Sequence, residues 1–181
     1  MPTTELPLPY DPRSPEGLAA RWVRWVASCS VLRSPVADET GQDAARNQPG
    51  DVWFLAGSHG DGPVTRSCQV PAGRDLFVPA VNVWAVGGPA PVLPEAFGRV
   101  HVDGAELLPD EVATPEPFPV RGVFLNGVNR SRKTRPMTVW GLWQLIPALA
   151  PGGHDVHVVG GDGHGFVVDV RYQLMVGGPQ R

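Results

Sequence analysis

The residues best suited to acid–base or metal chemistry are five histidines: His59, His101, His154, His157 and His164. His154 and His157 flank the start of a predicted strand, with Asp155 between them. Residues three apart in a strand point to opposite faces, so this pair cannot chelate one ion without a bulge. No HExxH, CxxC or EF-hand loop occurs. A zinc or iron centre is therefore not expected, and no cofactor is predicted. The remaining metal option is calcium, held by loop carboxylates such as Asp38, Asp61 and Asp162 together with carbonyls. As acid–base groups, His154 and His157 could titrate near neutrality beside Asp155 or Asp38. The alternative is that each is a surface or hydrogen-bonded structural histidine.

Asp38 is followed by Glu39, and adjacent acids diverge in extended chain, so the spacing does not make a glycosidase pair. Asp38-Glu39-Thr40-Gly41 is turn chemistry, and a turn-capping role competes with catalysis for Asp38. Arg66, Gln48 and Asn82 form a third group. Asn82 is expected to share a strand face with Val78, Ala80 and Trp84, which puts an amide in an apolar lane that needs partners if buried. Either the three residues pin loop 38–50 to the sheet, or they line a pocket that orients a carbonyl or carboxylate. Trp53, Trp84, Trp140 and Trp143 fall on predicted strands, either as core or as ligand-stacking rings. Trp140 and Trp143 face opposite sides, so at least one of them is expected outside the core or at an edge. The candidate set is thus His154, His157, Asp38 and Arg66 for catalysis, with Gln48, Trp53, Asn82, Trp84, Trp140 and Trp143 for binding. Cys68, in a predicted strand with no nearby histidine, reads as an inert thiol. Arg130, Arg132, Lys133 and Arg135 form either a solvated loop or an anion-binding rim.

The elements that must position these groups are mostly strands. Gly (22) and Pro (21) in 181 residues are about twice the usual share and break the chain into short pieces. Residues 1–13 read as an extended Pro-rich arm. Ser14-Pro15-Glu16 opens a helix over 14–29, whose apolar stripe is Leu18, Trp22, Trp25, Val26 and Cys29. Strands are predicted at 52–56, 67–70, 76–84, 99–102, 122–125, 138–145, 155–159 and 166–176. In the last, Phe166, Val168, Val170, Tyr172, Leu174 and Val176 alternate with polar residues. Strands without alternating helices predict a single all-β domain over 14–181: an antiparallel sandwich of jelly-roll type, or a barrel, carrying one N-terminal amphipathic helix.

The segments Val52-Trp53-Phe54-Leu55-Ala56-Gly57, Arg66-Ser67-Cys68-Gln69-Val70-Pro71-Ala72-Gly73, Leu76-Phe77-Val78-Pro79 and Asn82 occur in that order. With Asp155-Val156-His157 and Asp169-Val170-Arg171-Tyr172 they resemble a group of uncharacterised bacterial β-rich proteins over roughly residues 30–176. The resemblance implies one fold and brings no activity. Many of that group look secreted and carry a cysteine shortly before the position of Gln48. Here that stretch is Asp43-Ala44-Ala45-Arg46, and no signal peptide opens the chain.

A formal net charge of −3 gives no electrostatic footprint for nucleic acid or an anionic membrane. Two cysteines do not make a disulfide scaffold. The expectation is a cytoplasmic protein with a small-molecule ligand or substrate, no nucleic-acid or membrane partner, and a homodimer as an option. Its function is expected to be that of a cofactor-independent cyclase or isomerase holding an apolar molecule between or beside the sheets. A non-catalytic carbohydrate or small-molecule binder is the alternative, and a structural or interaction protein the second alternative.

Overall fold

The computed structural model describes residues 6–123, 125–130 and 132–177. Helix α1 (Pro15–Ala27) starts where its sequence signals place it, with Ser14 Oγ accepting from Gly17 N–H at 3.1 Å and Pro15 in the first turn. It ends at Ala27, two residues before the predicted limit. Ten strands follow: β1 (Val52–Phe54), β2 (Val64–Val70), β3 (Asp75–Val86), β4 (Phe97–Val102), β5 (Ala105–Leu107), β6 (Asp110–Ala113), β7 (Phe118–Val120), β8 (Arg135–Ile146), β9 (Gly152–Gly161) and β10 (Val167–Val176).

They form two five-stranded sheets. The first runs β1-β3-β8-β6, with β7 also on β8; the second runs β2-β10-β9-β4-β5. The purely antiparallel jelly roll expected above is corrected here, because both sheets are mixed. β1 pairs parallel with β3, and β2 parallel with β10. The cause is the path of the chain. After β1 it crosses to the other sheet to make β2, then turns back at Pro71-Ala72-Gly73 into β3. Two reversals return it in its original direction, so β2 serves as the crossover that a parallel pair requires.

The layers are helix, first sheet, second sheet. One core cluster holds Trp22, Trp25, Phe54, Phe77, Val139 and Trp143 between α1 and the first sheet. The other holds Trp53, Leu76, Val78, Val158, Val170 and Tyr172 between the sheets. The first sheet is therefore covered on both faces. That explains why Trp140 and Trp143, on opposite sides of β8, are both buried, against the expectation that at least one would lie outside the core or at an edge; β8 is an inner strand. The alternation in β10 holds from Val168 to Val176, while Phe166 is exposed. Of the strand predicted at 122–125, the described residues Gly122, Val123 and Leu125 are not in a strand: Gly122 packs on the Asn129 carbonyl and Leu125 takes a left-handed φ of 61°, while Phe124 lies outside the described residues.

A break in β3 decides where its side chains point. The register shifts between Pro79 and Val81. Before it, Leu76 and Val78 face the second sheet; after it, Asn82 pairs with Gly141 and Trp84 with Val139, on the helix side. Asn82 and Trp84 thus do not share a face with Val78, as strict alternation had predicted, because the extra residue of the bulge turns the strand over.

Candidate functional site

The bulge gives one wall of an apolar pocket of about 340 Å³. Pro79, Ala80, Asn82 and Trp84 of β3 form that wall, and Trp22 and Val26 of α1 lie opposite. The loops at 31–37, 57–59 and 126–128, with Phe166 and Val168, complete the lining and bring in the polar side chains of Ser34, Ser58, His59 and Asn126. The size is that of a small-molecule site.

Two buried polar side chains hold the loops that enclose it. Arg66 is 1% exposed. Its Nε donates to Asp38 O, Nη2 to Val36 O at 3.0 Å, and Nη1 to Ala56 O, Gly57 O and the Tyr172 hydroxyl. It joins the 36–38 loop to the 56–57 segment, and both segments carry pocket residues. Tyr172 in turn donates to Ala56 O at 2.8 Å, and burial pushes its phenol upward in pKa. Asn126 donates to Val26 O and Cys29 O and accepts from Val128 N–H and Asn129 N–H, tying the 126–129 loop to the end of α1.

Asn82 differs from both. The residue is half-buried, yet its Nδ2 is sealed from solvent with no hydrogen-bond partner. A buried unpaired donor is uncommon and needs an explanation. Nearby, Trp143 Nε1 is also buried and unpartnered. A Cβ placed on Gly141 would lie 2.7 Å from that Nε1 and 2.8 Å from Asn82 Cβ, so both side chains crowd the same glycine.

The other candidates lie elsewhere. Gln48 accepts from Phe54 N–H and donates to Phe54 O and Ala44 O, pinning its loop to the end of β1. Gln48, Arg66 and Asn82 do not join in one network; the first two each anchor the 36–48 loop at separate points. Asp38 is a turn cap. It accepts from Thr40 N–H, Thr40 Oγ1, Gly41 N–H and Asp43 N–H. Burial alone would raise its carboxyl pKa, but the amides of Asp43, Thr40 and Gly41 together outweigh burial and hold it below the usual value. Gly41, at φ 94°, lets this turn press on β2, where a Cβ would meet Ser67 O at 2.3 Å.

His154 Nδ1 lies 2.7 Å from Asp103 Oδ2 and its Nε2 lies 2.8 Å from Ala150 O, so it clamps the turn after β4 to the start of β9. The Asp103 carboxylate, then the Ala150 carbonyl, hold its pKa above the ordinary histidine value. His157 is on the outer face of the second sheet, 2.8 Å from Asp169 and beside His101. His154, His157, Asp38 and Arg66 are therefore not brought together. Trp53 is buried between the sheets, and Trp140 donates to Glu111 at 2.8 Å. Of the ten candidates, Asn82 and Trp84 line the pocket. Cys29 and Cys68 are free, and burial pushes the Cys68 thiol up to about 12. Arg130, Arg132, Lys133 and Arg135 are exposed. Among the described residues, no three His, Cys, Asp or Glu side chains are grouped to hold a metal ion. No helix of the described residues is long and apolar enough to cross a membrane.

Asn126 was passed over in the sequence, while His59 was named among the histidines and Phe166 on the last strand without either being placed in the candidate set. His59 sits in the Gly57–Gly62 break, and a histidine in a turn directly after an apolar strand was the available signal. Asn126 carried none, since its partners are main-chain groups about a hundred residues away.

No family model matches the chain, and no curated protein matches it. Among solved structures, the solution structure of amebosin aligns with 70% of this chain and 99% of that chain, at 10% identity and a TM-score of 0.29. A superposition that loose carries no argument about function.

Proposed function

We propose that this protein binds an apolar small molecule in the pocket between α1 and the bulged stretch of β3. The observation that carries this reading is the pocket itself, about 340 Å³ and lined mainly by apolar side chains of α1, β3 and the loops that Arg66 and Asn126 hold in place. The buried state of Trp53, Trp140 and Trp143 counts against a flat sugar-stacking face built from these rings.

A second reading, a cyclase or isomerase working on that molecule, is favoured by His59. Among the described residues it is the ionisable side chain in the lining, and it sits exposed at the rim, within reach of a bound substrate. We also propose a cytoplasmic location, supported by the two free thiols.

Titration with the neutral fluorophore N-phenyl-1-naphthylamine tests the binding reading. Val128 lines the pocket from a loop, so Val128→Trp should fill it. Saturable binding to the wild type, weakened at least about tenfold in Val128→Trp, is the expected result. Equal binding to both proteins places the probe elsewhere and removes the support for this pocket.

A further inference from the structure

We propose that the cleft between the N-terminal arm, α1 and β7 is a second binding site, for a small organic anion: an apolar or aromatic body carrying a carboxylate, sulfonate or phosphate. Arg121 and Thr134 receive the anionic group.

The cleft holds about 330 Å³ and shares no lining residue with the pocket described above. Leu6, Trp25, Pro49, Phe54 and Pro119 make its apolar lining. Its charged lining is Arg21, Arg24 and Arg121, and among the described residues no Asp or Glu lines it. Two of these arginines build the walls. Arg21 donates to Pro12 O and to both carboxylate oxygens of Asp51. Arg24 donates to Pro119 O at 2.8 Å, Leu6 O at 2.7 Å and Pro7 O at 3.2 Å. These bonds fasten the arm and β7 to α1, and so set the width of the cleft.

Arg121 stands apart from them. It directly follows β7, it is exposed, and its side chain makes no hydrogen bond or ion pair among the described residues. The β7–β8 ladder ends on the pair Val120–Arg135, so the next residues out, Arg121 and Thr134, flank the same ladder end. Both line the cleft, and Thr134 is exposed too. A guanidinium and a hydroxyl at one cleft edge are the donors that a carboxylate, sulfonate or phosphate accepts from.

The charge around them is one-sided. From Pro117 to His154 the sequence carries Arg121, Arg130, Arg132, Lys133 and Arg135 and no Asp or Glu, in a chain whose formal net charge is −3. Such a run gives this end a positive potential that draws anions in. The apolar lining then favours an ion with an organic body over a bare inorganic one. A neutral guest would gain the apolar contact alone.

The probe is 1-anilinonaphthalene-8-sulfonate, which is N-phenyl-1-naphthylamine plus a sulfonate. It should bind the wild type saturably, at least about tenfold more weakly to Arg121→Glu, and as well as before to Val128→Trp. Raising the salt from about 50 mM to about 500 mM should weaken it several-fold. The neutral fluorophore should bind Arg121→Glu as it binds the wild type. Among competitors, 2-naphthoate should displace the sulfonate at far lower concentration than inorganic phosphate does. If sulfonate binding survives Arg121→Glu, or is lost in Val128→Trp instead, the inference is overturned. It is equally overturned if inorganic phosphate, or a short oligothymidylate, competes better than 2-naphthoate. The pocket between α1 and β3 is judged separately, by the neutral fluorophore on Val128→Trp. Arg121 is exposed, and Arg121→Gln, which removes the charge without reversing it, gives a second variant that should also weaken the sulfonate.

Discussion

Replacing Arg66 with methionine keeps most of the side-chain stem and removes the guanidinium. Five hydrogen bonds disappear, to Asp38 O, Val36 O, Ala56 O, Gly57 O and Tyr172 Oη. Bonds to a charged group contribute about 1.5–3 kcal/mol each, so the gross loss is about 7–15 kcal/mol. Most of that is offset. Burying the cation cost several kcal/mol at the outset, and the 36–38 loop can open to let water reach its carbonyls. The net destabilisation expected is about 3–5 kcal/mol, a large part of a typical domain's stability. With a urea m-value of about 2 kcal/mol/M, the midpoint should fall by about 2 M. Amide exchange should report the same event locally: the N–H groups of Thr40, Gly41 and Asp43 should lose protection before the central strands do. A midpoint shift under about 0.5 M at unchanged m-value would refute the idea that this guanidinium holds the loops together.

Gly141→Ala should cost about 1–3 kcal/mol, because the new methyl meets Val81 O at 2.6 Å, and thermal unfolding measures it. Asp38 has a lowered folded pKa, so its contribution to stability is present above the unfolded value near 4 and is lost as pH falls through the folded one. Asp38→Asn should therefore flatten the acid limb of urea midpoints measured from about pH 5 downward. His154 has a raised folded pKa, so its contribution is complete below about pH 6.5 and is lost as pH rises through the folded value. Asp103 is half exposed, which reduces this effect to well under about 1 kcal/mol. His154→Gln should leave the protein folded with a slightly flatter midpoint profile between about pH 6 and 8.

What could be read from the sequence were local signals. The cap at Ser14, the stripe of α1, the alternation in β10 and the turn at Asp38 each involve residues within a few positions of one another. β5, β6 and β7 were not legible, since each is three or four residues long and lies in a stretch broken by prolines. The parallel pairings were not legible either, because nothing local says that β1 and β2 belong to different sheets. The candidate site suffered most from one residue. Strict alternation put Asn82 beside Val78, and only the pairing of β3 with β8 reveals that the bulge at Pro79–Val81 reverses that. Arg66 was rightly singled out as unusual, but its partners are main-chain carbonyls, which no side-chain pattern announces.

The strand order of the second sheet also bears on how the protein is made. β2 lies at the sheet edge and has β10 as its neighbour, about a hundred residues further along the chain. While a ribosome is still synthesising the segment between them, β2 has no strand to pair with, and Arg66 waits for Tyr172. The 36–43 loop then lacks its anchor, and the pocket walls it supplies are not yet in place. Folding of this unit therefore waits until β10 has been made, and until then the unpaired edge of β2 is where a nascent chain would be open to chaperone capture or misassembly.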